Sequence, residues 1–184
     1  MLAGPMLSRF KTAYIPKPGG DKIGRRRLDT HIIGFKKLGA EFDYFTDESF
    51  FHLHTPRLKG TFFTLEEPSV TGTANLVMAA VLASGTTTIY NAACEPYIQQ
   101  LCKMLNDMGA RISGIGSNMI KVEGVDELHG TTHTILPDMI EVGSFIGLAA
   151  MTQSDIVIKN AGIKHLGVIP ERFQQLGIQL KFEG

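Results

Sequence analysis

The run from Thr73 to Ala83 is small, apolar and almost uninterrupted, so it predicts a helix buried on most of its sides. Either side of it lie Thr61 to Leu65 and Thr86 to Tyr90, short stretches rich in Thr, Phe, Ile and Tyr that read as strands. Farther on, Ile98, Leu101, Cys102 and Leu105 recur at helical spacing. Pro96 suits the first helical position and Gly109 a position just past the end, so a second helix is expected over Tyr97 to Met108. Ala110 to Gly114 and Met119 to Glu123 then form a predicted hairpin across Ile115-Gly-Ser-Asn, whose residues tolerate positive φ. The stretch 60–128 therefore reads strand, helix, strand, helix, strand, strand.

This pattern recurs along the chain. Phe35-Lys-Lys-Leu-Gly-Ala-Glu-Phe reappears as Leu105-Asn-Asp-Met-Gly-Ala-Arg-Ile and as Phe173-Gln-Gln-Leu-Gly-Ile-Gln-Leu, with Gly39, Gly109 and Gly177 spaced by 70 and 68 residues. Independently, Ser69-Val-Thr-Gly-Thr-Ala-Asn-Leu with Asn91-Ala after it matches Ile140-Glu-Val-Gly-Ser-Phe-Ile-Gly with Asn160-Ala after it, an offset of 69 between the asparagines. Two landmarks with one period indicate an internal repeat of about seventy residues. The units at 1 to about 59 and 138 to 184 look incomplete, and the chain is expected to be a segment of a longer protein.

Composition narrows the class. Of 184 residues 43% are hydrophobic and 20% charged, which suits a packed domain rather than a disordered chain. Eighteen basic residues balance eighteen acidic ones, so no general affinity for nucleic acid or anionic membrane is expected. Cys94 and Cys102 have neither zinc-ribbon nor disulfide-framework spacing and read as two reduced, mostly buried thiols of a cytoplasmic protein. The apolar run from Ala74 is about half the length of a membrane span.

The stretch Pro18-Gly-Gly-Asp-Lys-Ile-Gly-Arg-Arg-Arg-Leu-Asp-Thr-His31 combines glycines, a carboxylate and several cations before a predicted helix over Asp29 to Leu38. Glycine lets a ligand approach the backbone, and Arg binds phosphate in bidentate fashion. An exposed basic loop without ligand has the same composition, so residue types alone leave both readings open. Lys22, Arg25, Arg26 and Arg27 lack the second basic cluster and the stacking aromatics that nucleic-acid binding requires. Gly114-Ile-Gly-Ser-Asn-Met lacks the third glycine and the following helix of a dinucleotide loop. His52 and His54 face one side of a strand, and His129 and His133 form another pair. For the first pair no nearby Asp, Glu or Cys completes a ligand set, and surface histidines without a metal are expected.

Gly4-Pro-Met-Leu-Ser-Arg-Phe, Pro18-Gly-Gly-Asp-Lys-Ile-Gly-Arg-Arg, Leu58-Lys-Gly, Gly85-Thr-Thr-Thr-Ile-Tyr-Asn-Ala-Ala-Cys-Glu-Pro, Gly109-Ala-Arg-Ile-Ser-Gly and Leu136-Pro-Asp occur in order along nearly the whole chain. Together they resemble the UDP-N-acetylglucosamine 1-carboxyvinyltransferases of the enolpyruvyltransferase family. The resemblance implies an α/β fold of the inside-out α/β barrel type, built from βαβαββ units and incomplete here. Residues 1–136 would hold the second and third units of the first domain, and 137–184 the start of the second. It also implies transfer of an enolpyruvyl group from phosphoenolpyruvate to the 3'-hydroxyl of UDP-N-acetylglucosamine in peptidoglycan synthesis, in the cytoplasm and without a cofactor.

Residue by residue, Asp21 falls where the family usually has the cysteine that acts as general acid, and Arg26 on the arginine that contacts the phosphoenolpyruvate phosphate. The aspartate form implies resistance to the epoxide antibiotic that alkylates the cysteine. It also requires loop closure to raise a carboxyl pKa that starts near about 3.9. Arg27, Leu28, Asp29 and Thr30 fall on a nucleotide-sugar segment, with Arg27 in place of a common proline. Ser69, Val70 and Thr71 fall on a second such contact. Glu67 stands where many members have lysine, and Arg25 or Arg27 is the candidate substitute. The family's catalytic lysine would lie before Met1 and its general-base aspartate beyond Gly184, so the chain alone is expected to be inactive. Two other readings are the sister 3-phosphoshikimate enzyme and a non-catalytic repeat-built binding module. Exposed edges also suggest self-association with another copy.

Overall fold

The computed structural model describes residues 1–17, 19, 28–47 and 49–182. It divides into two compact units, Met1–His133 and Thr134–Gly184. In chain order the first unit contains α1 (Ala3–Phe10), β1 (Thr12–Pro16), α2 (Asp29–Lys37), β2 (Glu41–Phe45), β3 (Phe50–His54), β4 (Phe62–Thr64), α3 (Val70–Ala80), β5 (Thr86–Tyr90), α4 (Pro96–Asp107), β6 (Arg111–Ser113) and β7 (Met119–Glu123). The second contains α5 (Met139–Thr152), a short 3-10 turn (Ile163–His165) and α6 (Ile169–Gln175).

The repeat is visible in the hydrogen bonding. One sheet has the order β1-β3-β2 and the other β4-β5-β7-β6, so the antiparallel trio of the first recurs as β5-β7-β6 in the second. Among the described residues only the second has the added parallel strand β4, beside β5. Gly39, Gly109 and Gly177 all carry φ between 84° and 99°. Each ends its helix with the same pair of bonds: the glycine N–H reaches back three residues, and the next residue's N–H reaches the carbonyl of Phe35, Leu105 or Phe173. This left-handed cap satisfies carbonyls that the helix end would otherwise orphan, and glycine adopts it without a Cβ penalty. The spacing of glycines in the sequence is the spacing of these caps.

The core of the first unit is α3. Gly72, Thr73, Ala74, Asn75, Leu76, Val77, Ala79 and Ala80 are all buried, as the uninterrupted small-apolar run predicts. The helix starts three residues earlier than Thr73, because the Ser69 Oγ accepts the Gly72 N–H and caps it. Small residues let neighbouring helices approach closely. A Cβ on Gly4 of α1 would collide with the Asn75 backbone carbonyl, and one on Gly34 of α2 would collide with the Leu76 side chain. Ser8 Oγ also donates toward the Met78 and Ala79 carbonyls at 3.0 and 3.2 Å.

One polar chain crosses this apolar centre. The Gly4 N–H donates to Asn75 Oδ1 at 2.7 Å. That contact turns Asn75 Nδ2 toward His31 Nδ1 at 3.1 Å, and His31 Nε2 lies 3.4 Å from Thr71 Oγ1. Since an amide nitrogen only donates, His31 Nδ1 accepts and its proton sits on Nε2. Burial holds the His31 pKa below its ordinary 6.5, and the Glu67 carboxylate, pulling the other way, does not restore it. The imidazole is neutral.

In the second unit Val142, Ile146 and Leu166 are buried, with Met139, Ile158, Ile169 and Phe173 packed on them. Asp138 caps α5 by accepting the Ile140 and Glu141 N–H groups. Asp155-Ile-Val-Ile is β-rich in composition, yet those residues form no strand and Val157 is 80% exposed. A β-rich run without a neighbouring strand to pair with does not become a strand. Cys102 is buried as expected, whereas Cys94 is exposed, because it lies in the loop before α4 rather than on its apolar face. Among the described residues no helix is long and apolar enough to cross a membrane. Gly114 and Gly116 carry φ of 76° and 88° in the β6–β7 turn, a hairpin role and not a dinucleotide loop.

Two predictions follow from the packing of α3. Gly4→Ala forces α1 off the Asn75 carbonyl, and urea unfolding monitored by circular dichroism is expected to show a loss of about 1–3 kcal/mol. A wild-type midpoint in this variant contradicts the close helix contact. Stability is also expected to fall as pH drops below 6.5, because the unfolded chain then takes up a proton that folded His31 resists. The urea midpoint at pH 7.5 should exceed that at pH 5.5, by a margin that shrinks in His31→Asn.

Candidate functional site

The starts of two helices lie side by side. Leu28 precedes α2, with Asp29 in its first turn, and Ser69 caps α3. Thr30, nearly fully buried, reaches from α2 toward α3: its Oγ1 lies 3.4 Å from Glu67 Oε1, and its Cγ2 lies 3.0 Å from where a Gly72 Cβ would stand. Thr71 is joined to α2 through His31. The predicted residues Leu28, Asp29 and Thr30 and the predicted residues Ser69, Val70 and Thr71, some forty positions apart, thus occupy two adjacent first turns. Glycine at 72 permits this approach, since any larger residue would press on both Thr30 and Ser69.

Beside these turns opens a cleft of about 240 Å³. Leu28, His31, Ile32 and Phe35 of the α2 segment and Thr71 and Asn75 of α3 form part of its wall, and Phe42, Phe51 and Leu53 of the first sheet form another part. Its wall is mostly apolar, with His31, Thr71 and Asn75 as the polar groups. Each helix start carries the positive end of its helix dipole, and such ends favour anionic groups. Glu67 is the opposing feature, a carboxylate at hydrogen-bond reach of Thr30.

Asp21, Arg26 and Arg27 lie outside the described residues, as do Lys22 and Arg25. Described residues on either side include Lys17, whose N–H donates to the Ser49 carbonyl at 2.8 Å, and Leu28. Sequence reasoning missed His31 and Asn75 as parts of the site. Asn75 had a legible signal, being the single amide inside an apolar helical run, but its partners come from two other helices.

A second cluster lies on the first sheet. His52 and His54, expected to lack a carboxylate partner, face Asp43 and Glu41 instead. The antiparallel register sets Asp43 opposite His52 and Glu41 opposite His54, so acids nine and thirteen residues earlier complete the row. His133 Nδ1 lies 4.0 Å from Asp107 Oδ2, an ion-pair distance and no more.

The family described as EPSP synthase (3-phosphoshikimate 1-carboxyvinyltransferase) matches residues 1–183. A Bacteroides fragilis protein named UDP-N-acetylglucosamine 1-carboxyvinyltransferase is 66% identical over all 184 residues, and a Treponema denticola protein of the same name is 51% identical over 185. The chain spans 42% of the length of each. Among solved structures, EPSP synthase from Acinetobacter baumannii superposes with a TM-score of 0.70 at 23% identity, covering all of this chain and 42% of that one. The enolpyruvyl transferase NikO from Streptomyces tendae superposes with 0.64 at 20% identity over 77% of this chain and 34% of its own. At such identities these superpositions speak for the fold, an α/β arrangement that forms no closed barrel among the described residues. With nearly every residue inside the family match and the same fold in its solved members, the chain belongs to the EPSP synthase family of carboxyvinyltransferases.

Proposed function

We propose that this chain forms part of an enzyme that transfers the enolpyruvyl group of phosphoenolpyruvate to the 3'-hydroxyl of UDP-N-acetylglucosamine, a step in peptidoglycan precursor synthesis. The observation that carries the reading is identity of 47–66% along the chain to relatives bearing that name, against 20–23% to the solved EPSP synthases and NikO. Residues 1–136 serve as the second and third repeat units of a first domain, and 137–184 open a second. The reaction runs in the cytoplasm, where nucleotide sugar and phosphoenolpyruvate are made, and through the cell wall it bears on cell shape and division. The balanced charge supports partners that are small anions rather than nucleic acid or membrane. Exposed Phe145, Leu148, Met151 and Val157 favour self-association of the isolated chain.

The chemistry has three requirements: a proton delivered to the methylene carbon of phosphoenolpyruvate, cations around its phosphate, and a base for the attacking hydroxyl. Asp21 supplies the proton and Arg26 holds the phosphate charge. Leu28, Asp29, Thr30, Ser69, Val70 and Thr71 receive the nucleotide sugar, supported by the adjacent helix starts, with Arg27 or Arg25 offsetting Glu67. The base and the remaining substrate groups belong to portions of the relatives' length that this chain does not span.

Calorimetric titration of the chain with UDP-N-acetylglucosamine is expected to show binding that weakens at least tenfold in Asp29→Ala, and none with 3-phosphoshikimate. Binding of the shikimate ester without the nucleotide sugar overturns the assignment. In the full-length enzyme, activity is expected to survive a stoichiometric dose of the epoxide antibiotic, and Asp21→Cys to become irreversibly inactivated. Inactivation of the unaltered enzyme removes Asp21 from the role of proton donor.

A further inference from the structure

The outward face of the first sheet carries three rows set by its register: Thr12, His54 and Glu41; Tyr14, His52 and Asp43; Pro16, Phe50 and Phe45. On this face Asp43 Oδ2 lies 3.8 Å from His52 Nδ1 and 3.9 Å from His54 Nδ1. Both distances are too long for hydrogen bonds. They fall within the span of about 4.2 Å that two ligands can have across one ion at about 2.1 Å from each. One ligand atom from each of the three residues lies within 4.8 Å of the others, so the set closes on an ion by side-chain shifts alone.

The far nitrogens of both rings are already engaged. His52 Nε2 is 3.1 Å from Thr12 Oγ1, and His54 Nε2 is 3.3 Å from Glu41 Oε2. An Nε2–H donated to each of these oxygens leaves each Nδ1 as the unprotonated nitrogen, 3.8 and 3.9 Å from Asp43 Oδ2. A carboxylate or hydroxyl on the distal nitrogen is the arrangement that orients metal-binding histidines and raises their basicity. His54 Nδ1 is itself shielded from solvent and has no hydrogen-bond partner. The rings are held in place by stacking: His52 on Tyr14 at 4.2 Å and 9°, and on His54 at 4.8 Å and 17°.

We infer that Asp43, His52 and His54 form a binding site for a divalent first-row transition ion of the zinc class, with Glu41 and Thr12 positioning the two imidazoles. Two imidazole nitrogens and one carboxylate oxygen match the borderline ligands such ions prefer over magnesium or calcium. Three protein ligands leave a coordination position for water. The ion joins β2 to β3 across a sheet whose opposite face, through Phe42, Phe51 and Leu53, lines the cleft. The inference is independent of the proposed reaction and holds or fails without it.

Calorimetric titration of the chelator-treated full chain with Zn²⁺ tests it. One ion per chain is expected, with affinity reduced at least tenfold in each of His52→Ala, His54→Ala and Asp43→Asn, and also reduced in Glu41→Gln. His129→Ala with His133→Ala is expected to bind as the unaltered chain does. Asp43→Asn is nearly isosteric, and an unchanged circular dichroism spectrum for it separates ligand loss from unfolding. Absence of Zn²⁺ binding, or binding that persists undiminished in the His52→Ala/His54→Ala double variant, overturns the site.

Discussion

The burial of α3 is the constraint on which the first unit depends. Water is excluded from most of the surface of this helix, so its neighbours must fit it rather than merely lie near it. Gly4 and Gly34 meet that demand by letting backbone approach backbone and backbone approach Leu76. A helix buried so fully has its position dictated from several sides, and its first turn therefore stands at a defined place against the first turn of α2. The candidate site is a consequence of core packing before it is a matter of chemistry.

Asn75 shows how closely the two are linked. Inside a helix that otherwise buries small and apolar groups, a single amide uses its oxygen for α1 and its nitrogen for His31 of α2. Replacing one buried partner would leave the other unsatisfied, so the network acts as one unit. Burial keeps His31 neutral, and the network fixes its tautomer, which in turn directs an N–H toward Thr71 at the cleft. The apolar wall beside these groups lowers the local dielectric, strengthening whatever the polar groups offer to a ligand.

The first sheet does different work on its two faces because side chains alternate along a strand. Phe42, Phe51 and Leu53 look toward the helices and the cleft, while Asp43, His52 and His54 look outward. A slip of one residue in the β2–β3 register would exchange the faces, exposing the aromatics and burying the charged row. The apolar face thus pins the register that assembles the outward cluster.

Much of this was legible in the sequence by itself. The glycine period located three helix ends, since a left-handed cap excludes most side chains, and the small-apolar run located α3, since only such residues fill a site without free faces. The family motifs pointed to a membership that the match over residues 1–183 shows. Tertiary structure decided what depends on partners distant in the chain. The Asp155-Ile-Val-Ile run has strand composition, but the described residues of its unit offer no strand for it to pair with, so it remains irregular. Asp43 and Glu41 meet the histidines only through cross-strand register, and Asn75 meets His31 only through helix packing. Local propensity is a property of a few consecutive residues, whereas a ligand set or a buried network forms from groups that only the folded chain brings within a few ångströms.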